Sequence, residues 1–271
     1  MKYLSPFPNL FASATLTCSA EDASYPASNL GRATRPDIPG KTTALGDQSF
    51  DADLGSAQAV VALAVLYANV TTVRWLADDA PTFNSGVGGA PQFSSGDLAV
   101  GLHAGNDRYC RFYQPPSPVT RRYWRLLIPS QTPVDGASVY RVGAAWAVGT
   151  GKLRSPQRGI QYLYKTKSDA PFDDLLTKSR RRQRIIRGPA FWTLSGERTA
   201  LANFPIPFQG DELADWLELE RLWWVQDAAL YVHREDNPYM VSVMRQVERP
   251  EWTIDATTAS ATFRWEEVTG P

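Results

Sequence analysis

The chain has 271 residues, of which 43% are hydrophobic and 21% are charged, and its 28 Lys and Arg balance its 28 Asp and Glu. This length allows two ordinary domains, and the composition excludes a disordered chain. Because there is no basic excess, the balance argues against nucleic acid as the main partner. Nine Trp, eleven Tyr and eleven Phe suit buried cores and protein interfaces.

The N-terminal segment contains Pro6 and Pro8 where a signal peptide needs a continuous apolar run, and no stretch approaches the length of a membrane span. Cys18 and Cys110 are too few for a disulfide scaffold and too far apart for a metal knuckle. They either lie in neighbouring strands or are reduced and buried, and the second state suits a protein made in the cytosol. Asn69 begins a glycosylation sequon, which carries little weight without an export signal.

Residues 11–149 form short β-like runs separated by Gly, Pro, Ser and Asp. Residues 26–30 predict a turn whose polar side chains can cap backbone groups, and residues 50–55 predict a strand that ends on a glycine. The continuous apolar run at 59–66 fits a buried strand or a helix, and its length and valine content favour the strand. Residues 122–128 and 138–148 are the last strands predicted in this half.

Between these strands, Val73 and Trp75 flank Arg74 with the two-residue spacing of a half-buried strand. Residues 80–96 are rich in Gly, Pro, Ser and Asn, and they predict an irregular surface loop. The Gly-Val-Gly-Gly sequence in this loop neither follows a strand nor opens a helix, so a dinucleotide-binding fingerprint is rejected.

The segments at 19–30, 50–55 and 121–128 together resemble parts of the discoidin (galactose-binding-like) β-sandwich, in the form found in tail proteins of bacteriophages. The resemblance implies a sandwich over residues 1–149. It also implies a role in attachment or assembly.

The second half, residues 150–271, predicts a linker, strands at 159–164 and 189–201, one helix at 211–225, and strands at 229–232, 240–244 and 261–268. This order resembles the ring-forming domain of phage distal tail proteins over residues 157–268. The resemblance implies a homo-oligomeric ring. The helix has an apolar arc wider than one contact face requires, which predicts interface residues on it. They are Trp216, Leu219, Trp223 and Trp224.

Catalytic groups are few, since His103 and His233 are the only histidines. His103 lies between glycines, where it is either a base or sugar contact or a structural residue, and the structural interpretation is favoured. His233 follows a predicted strand and is interpreted as structural. There is no nucleophile elbow, zinc-protease motif or P-loop. The sequence therefore predicts no catalytic residue, no cofactor and no enzymatic activity.

Paired carboxylates occur at Asp51 and Asp53 and at 78–79, 173–174 and 266–267. Asp51 and Asp53 alternate in a predicted strand and share one face, where they either bind a cation or are solvated. Two carboxylates fall short of a calcium shell, so no metal site is predicted. The basic run at 178–184 fits intersubunit ion pairs, a solvated loop or nucleic-acid contact, in that order.

The combined prediction is a mainly β, non-enzymatic virion protein, which is a minor tail or baseplate subunit of a long-tailed phage, made in the host cytoplasm. Its predicted partners are the tail tube, the hub, the fibres and further copies of itself. The alternative is a carbohydrate-binding tail module that contacts host glycans. Aromatic side chains in loops supply the sugar contacts of that alternative, for example Phe83, Phe93 and Tyr109.

Overall fold

The computed structural model describes residues 3–5, 9–32, 35–103, 108–149, 161–164, 184–193, 228–232, 237–246, 251–254 and 258–267. In chain order the strands are β1 (Tyr3–Ser5), β2 (Thr15–Cys18), β3 (Gly40–Lys41), β4 (Gln48–Val60), β5 (Ala62–Ala68), β6 (Thr72–Asp78), β7 (Phe93–Ala99), β8 (Gly101–His103), β9 (Arg108–Tyr113), β10 (Val119–Ile128), β11 (Arg141–Val142), β12 (Ala144–Val148), β13 (Gln161–Tyr164), β14 (Arg184–Thr193), β15 (Ala228–Val232), β16 (Val241–Gln246), β17 (Glu251–Ile254) and β18 (Thr258–Glu267). Short 3-10 helices occupy Leu10–Ala12, Ala27–Gly31 and Val87–Gly89. The predicted class, mainly β with an N-terminal β-sandwich, is confirmed.

Two antiparallel sheets form the sandwich. The first has the order β2-β4-β10-β6-β7, and the second has the order β12-β5-β9-β8. The side chains between them are large and fully buried, with Trp75 stacked against Phe11 at a ring-centroid distance of 5.8 Å. Phe50, Trp124 and Tyr140 are further aromatic residues of this core. Burial of such large apolar surfaces is the main force that holds the two sheets together.

Strand β5 is buried along its whole length, as the continuous apolar run predicts for a strand covered on both faces. Leu63 and Val65 point into the sandwich core, whereas Ala64 and Leu66 point outwards. The outward residues join Trp146 of β12 in a second core. Alternation along one strand therefore serves two separate cores.

The second core is covered by a hairpin from the other half of the chain. Strands β15 and β16 contribute side chains to it, including Leu230 and Val243. These two strands belong to a seven-stranded sheet with the order β1-β15-β16-β18-β14-β13, in which β17 also pairs with β18. Strand β1 joins this sheet through antiparallel pairing with β15. The outer face of the four-stranded sheet is thus an internal surface of the protein.

The turn predicted at residues 26–30 is observed as a 3-10 helix held by polar side chains. The carboxylate of Glu21 accepts a hydrogen bond from the Ala27 N–H at 2.6 Å, and the buried Asn29 amide donates to the Pro39 carbonyl at 3.3 Å. Leu30 is buried in the sandwich core next to it. Local capping and core packing together define this turn.

Several predictions need correction or lie outside the described residues. The loop predicted at 80–96 is shorter, because β7 begins at Phe93 and pairs with β6. Cys18 and Cys110 form no disulfide with each other and lie in different sheets, so the neighbouring-strand alternative is wrong. The helix at 211–225 and its predicted interface residues lie outside the described residues. In the part of the chain that the structure describes, no helix is both long and apolar enough to cross a membrane.

Candidate functional site: a polar pocket at the end of the sandwich

A pocket of about 230 Å³ opens where strands of the sandwich begin or end. The end of β5, the start of β9, the short strand β11 and the loop after β10 all contribute to it. Its lining residues are Pro39, Tyr67, Ala68, Asn69, Arg108, Tyr109, Val134, Asp135 and Arg141. Ligand pockets usually start at about 300 Å³, so this pocket suits a small ligand or the end group of a larger one.

Asn69 organises the pocket wall. Its side-chain amide donates to Asp135 Oδ1 at 3.1 Å and to the Val139 carbonyl at 3.0 Å, and its Oδ1 accepts from the Arg141 N–H at 2.8 Å. Its backbone N–H also donates to the Arg141 carbonyl, and its carbonyl accepts from the Val134 N–H. Asn69 itself is 2% exposed, so these bonds satisfy a buried polar group and join β5 to the loop.

Asp135 and Arg141 form an ion pair in the pocket wall. Their side chains keep 30% and 38% of their surface exposed, so both remain within reach of a ligand. Partial burial acts to raise the pKa of Asp135. Hydrogen bonds from the Ala137 N–H and the Asn69 amide, together with the charge of Arg141, outweigh burial and hold that pKa below its ordinary value. The pocket therefore carries an ionised carboxylate beside a guanidinium at neutral pH.

A β-bulge shapes the pocket floor. The pairing of β5 with β9 shifts register between Val65 and Ala68, and Tyr67 has a φ of 56°. A bulky residue in the left-handed region stores backbone strain, which is often found next to functional sites. Gly143 makes this conformation possible, because a Cβ added there would lie 2.8 Å from the Tyr67 Cβ. The bulge brings Tyr67 and Asn69 to the same pocket.

The lowered pKa of Asp135 predicts how the pocket responds to acid. A carboxylate with a depressed folded-state pKa stabilises the structure above its unfolded pKa, and this contribution is lost as the pH falls through the folded value. We expect the Arg141 guanidinium resonances to stay unchanged from neutral to mildly acidic pH. These resonances should shift only when the pH falls below about 4, which is the ordinary pKa of an aspartate side chain.

The variant Asp135→Asn is the matched control for this titration, because it removes the titrating group and keeps its shape. Its Arg141 resonances should not shift in the same pH range. A shift of the wild-type resonances at clearly higher pH would contradict the cause assigned to the lowered pKa.

The candidate histidine His103 lies away from the pocket surface. It is fully buried at the end of β8, and its Nε2 lies 3.4 Å from the Ser242 hydroxyl of β16. A surface sugar contact or general base needs access to its ligand, which a fully buried ring does not have. The structural interpretation of His103 is therefore correct, and His233 lies outside the described residues.

Asp51 and Asp53 share the outer face of β4, as their spacing predicts. Each carboxylate is paired with an arginine of β10 through two hydrogen bonds. Arg125 reaches Asp51 at 2.7 and 2.6 Å, and Arg122 reaches Asp53 at 2.7 and 2.8 Å. Side-chain hydrogen bonds from Arg122 also lower the pKa of Asp53. These oxygens serve ion pairs, and no group of three metal-ligating side chains occurs among the described residues.

The three aromatic residues proposed as sugar contacts lie in different places. Tyr109 lines the pocket. Phe83 is buried beneath the Arg125 guanidinium, which lies 4.2 Å from its ring centroid. Phe93 packs against Trp124 with a centroid distance of 5.8 Å. Only Tyr109 is therefore placed to meet a ligand in this pocket.

Sequence reasoning missed Asn69, Arg108, Asp135 and Arg141 as pocket residues. They come from two strands and two loops, and no local motif connects them. The basic run at 178–183 lies outside the described residues, and Arg184 begins strand β14.

Comparison with known proteins gives matches of fold only. No protein-family model matches the sequence, and the search of curated proteins found no match. Among solved structures, a fucolectin from striped bass (Morone saxatilis) serum matches with 15% identity and a TM-score of 0.42, covering 54% of this chain. This chain spans about half, 51%, of the length of that lectin.

Two bacterial carbohydrate-binding modules are also similar. A chitosan-binding module from a chitosanase/glucanase of Paenibacillus sp. IK-5 has 18% identity and a TM-score of 0.37, covering 53% of this chain and 99% of its own. A family 32 module from C. perfringens NanJ, solved with galactose, has 16% identity and a TM-score of 0.37, covering 54% and 98%. The ligands in the names of these proteins belong to those proteins.

Proposed function

We propose that the pocket binds a carbohydrate and that the protein acts by binding, without catalysis. The observation that carries this proposal is the Asp135–Arg141 pair, partly exposed and held in place by the buried Asn69. A carboxylate accepts hydrogen bonds and a guanidinium donates them in a rigid fork, so the pair matches the mixed donors and acceptors of neighbouring sugar hydroxyls.

The apolar part of the pocket fits the same ligand class. Tyr109 supplies an aromatic side chain, and Val134 is 38% exposed at the pocket. Sugar rings have apolar C–H faces beside their polar edges, and small-molecule sites combine apolar walls with a few placed polar groups. The small volume favours one terminal sugar residue over an internal segment of a chain.

Substitution of Arg141 tests this proposal. We expect the full-length protein to bind at least one of L-fucose, D-galactose and glucosamine in isothermal titration, and Arg141→Ala to weaken that binding at least about tenfold. The physical reason is the loss of a charged donor, which contributes roughly 1.5–3 kcal/mol.

Arg74→Ala is the matched control. Arg74 pairs with Asp97 at 2.7 Å on the other sheet and is 37% exposed, nearly as Arg141 is. Its variant should bind sugar like the wild type. Equal effects of the two substitutions, or no binding of any glycan on a broad array, would refute the proposal. Release of reducing sugar from a bound glycan would refute the absence of catalysis.

We also propose that this binding module belongs to a phage tail, where it contacts host surface glycans. The sequence resemblance to discoidin-like and distal tail proteins motivates this setting. The covered outer face of the four-stranded sheet favours it, because a module that shares a core with its neighbour suits rigid display on a particle better than a flexible tether.

The virion setting predicts that the protein co-purifies with intact particles and localises to the distal end of the tail. Immunogold labelling and mass spectrometry of purified particles measure this directly. Labelling of the capsid, or absence of the protein from the particles, would contradict the proposed location in a phage tail. Sugar binding would not be affected by that result, because it is tested by the titration of Arg141→Ala.

A further inference from the structure

A preformed turn precedes β16 in the second half of the chain. The Tyr239 N–H donates to the Asn237 side-chain oxygen at 3.1 Å, and the Met240 N–H donates to the Asn237 carbonyl at 3.0 Å. Pro238 restricts the backbone between them. The turn, residues 237–240, is therefore held by its own hydrogen bonds and presents the Tyr239 ring in a defined position.

This turn docks on the edge of the four-stranded sheet. Strand β8 pairs with β9 only as far as Cys110, and beyond that point the Phe112 N–H donates to the Pro238 carbonyl at 2.7 Å. The Tyr239 ring lies against Gly101, where an added Cβ would lie 2.6 Å from ring carbons. The Arg111 guanidinium lies 5.7 Å from the ring centroid, within the range of a cation–π contact.

The same two strands carry part of the pocket. Arg108 and Tyr109 begin β9 and line the pocket, and they pair with His103 and Leu102 of β8. His103 also contacts Ser242 of β16. The backbone that places Arg108 and Tyr109 is thus held from outside by residues of the second half.

We infer that Tyr239 is a positioning residue for the pocket, acting through β8 and β9 on Arg108 and Tyr109. The inference rests on the proposed sugar-binding function for its affinity readout only. Tyr239 is not among the residues that line the pocket. Its aromatic ring occupies the space beside Gly101, where any other residue would place its Cβ. Loss of the ring frees the β8–β9 pair to shift, which changes how the pocket side chains meet a ligand.

The test compares four variants of the full-length chain. Tyr239→Ala removes the ring, Gly101→Ala displaces it from the sandwich side, and Tyr239→Phe keeps it. Leu230→Ala is the control, since Leu230 is buried in the same interface but on β15. Amide hydrogen exchange over residues 108–112 is measured without sugar, and affinity is measured with whichever of L-fucose, D-galactose and glucosamine the wild type binds.

Tyr239→Ala and Gly101→Ala should speed exchange at residues 108–112 and weaken sugar binding, each by about five- to tenfold, which is the low end of the usual range for coupling between sites. Tyr239→Phe should restore both readouts. Leu230→Ala should lower the melting temperature, leave affinity unchanged, and speed exchange at 108–112 less than Tyr239→Ala does. Unchanged exchange in a folded Tyr239→Ala variant would overturn the inference. If the wild type binds no glycan, the proposed function fails, and the exchange measurement still decides the role of Tyr239.

Discussion

Replacement of Asn69 by aspartate is expected to abolish sugar binding and to destabilise the protein by at least about 3 kcal/mol. The new carboxylate would face Asp135 Oδ1 and the Val139 carbonyl where the amide now donates two hydrogen bonds. The Arg141 N–H can still donate to one oxygen of this carboxylate, but the other oxygen meets a second carboxylate and a carbonyl, and neither of these is a donor. The result is repulsion at the point that joins β5 to the loop carrying Asp135.

Urea denaturation and isothermal titration measure the two effects of Asn69→Asp. Because one proton shared by two carboxylates relieves their repulsion, the variant should lose part of its deficit as the pH falls, opposite to the wild type. Asn84→Asp is the control, since Asn84 is exposed on the loop before β7, and its effect should stay within about 0.5 kcal/mol. Normal binding by Asn69→Asp at neutral pH would contradict the role assigned to Asn69.

Replacement of Trp146 by alanine is expected to lower the free energy of unfolding by about 3–5 kcal/mol, the usual range for a buried tryptophan. Trp146 is 1% exposed in the second core, between β5 and the β15–β16 hairpin. Its indole N–H has no hydrogen-bond partner among the residues that the structure describes, so the loss is one of packing. Both halves of the chain line the cavity that this substitution creates.

Hydrogen exchange distinguishes a shared core from two independent units. In Trp146→Ala, protection should fall together in β5 and in β15 and β16, because they enclose the same cavity. Trp146→Phe fills more of the space and should retain more of the stability. Loss of protection in β5 alone, with β15 and β16 unchanged, would show that the second core does not couple the two halves.

The sequence predicts the class of the fold and some of its strands, because hydrophobic pattern is a local property. The continuous apolar run identifies β5 as a strand buried on both faces. Val73 and Trp75 identify β6 by their alternation, and both side chains are buried with Arg74 between them on the other face. In each case the residues that carry the signal are adjacent in the chain.

The pocket could not be predicted in the same way, because its residues are brought together only by strand pairing. Asn69 stands out in the sequence only as part of a glycosylation sequon, yet the structure uses its buried amide to hold Asp135 and Arg141. Tyr109 is the one of the three candidate aromatic residues that lines the pocket, and its role as a sugar contact stays a prediction. Phe83 fails because its ring is covered by Arg125.

Long-range strand pairing also determines which groups neutralise the predicted carboxylate pair. The spacing of Asp51 and Asp53 places them on one face, which is correct. Their partners Arg125 and Arg122 are 74 and 69 residues away, and only the register of β4 with β10 brings them together. Two carboxylates on one strand face can be neutralised by a bound cation or by arginine side chains, and the sequence does not distinguish these two cases until the strand register is known.

The four-stranded sheet is covered on both faces, which limits the positions at which the protein tolerates amino-acid substitutions. A residue of β5 or β12 meets a core whichever way it points, so almost any exchange there costs packing. Pro39 and Val134 lie in loops at the pocket, outside that constraint. A saturation mutagenesis library selected for altered ligand choice should therefore return its surviving substitutions from these loops and few from β5 or β12. Substitutions in these loops can then change the ligand preference while the two strands keep their sequence.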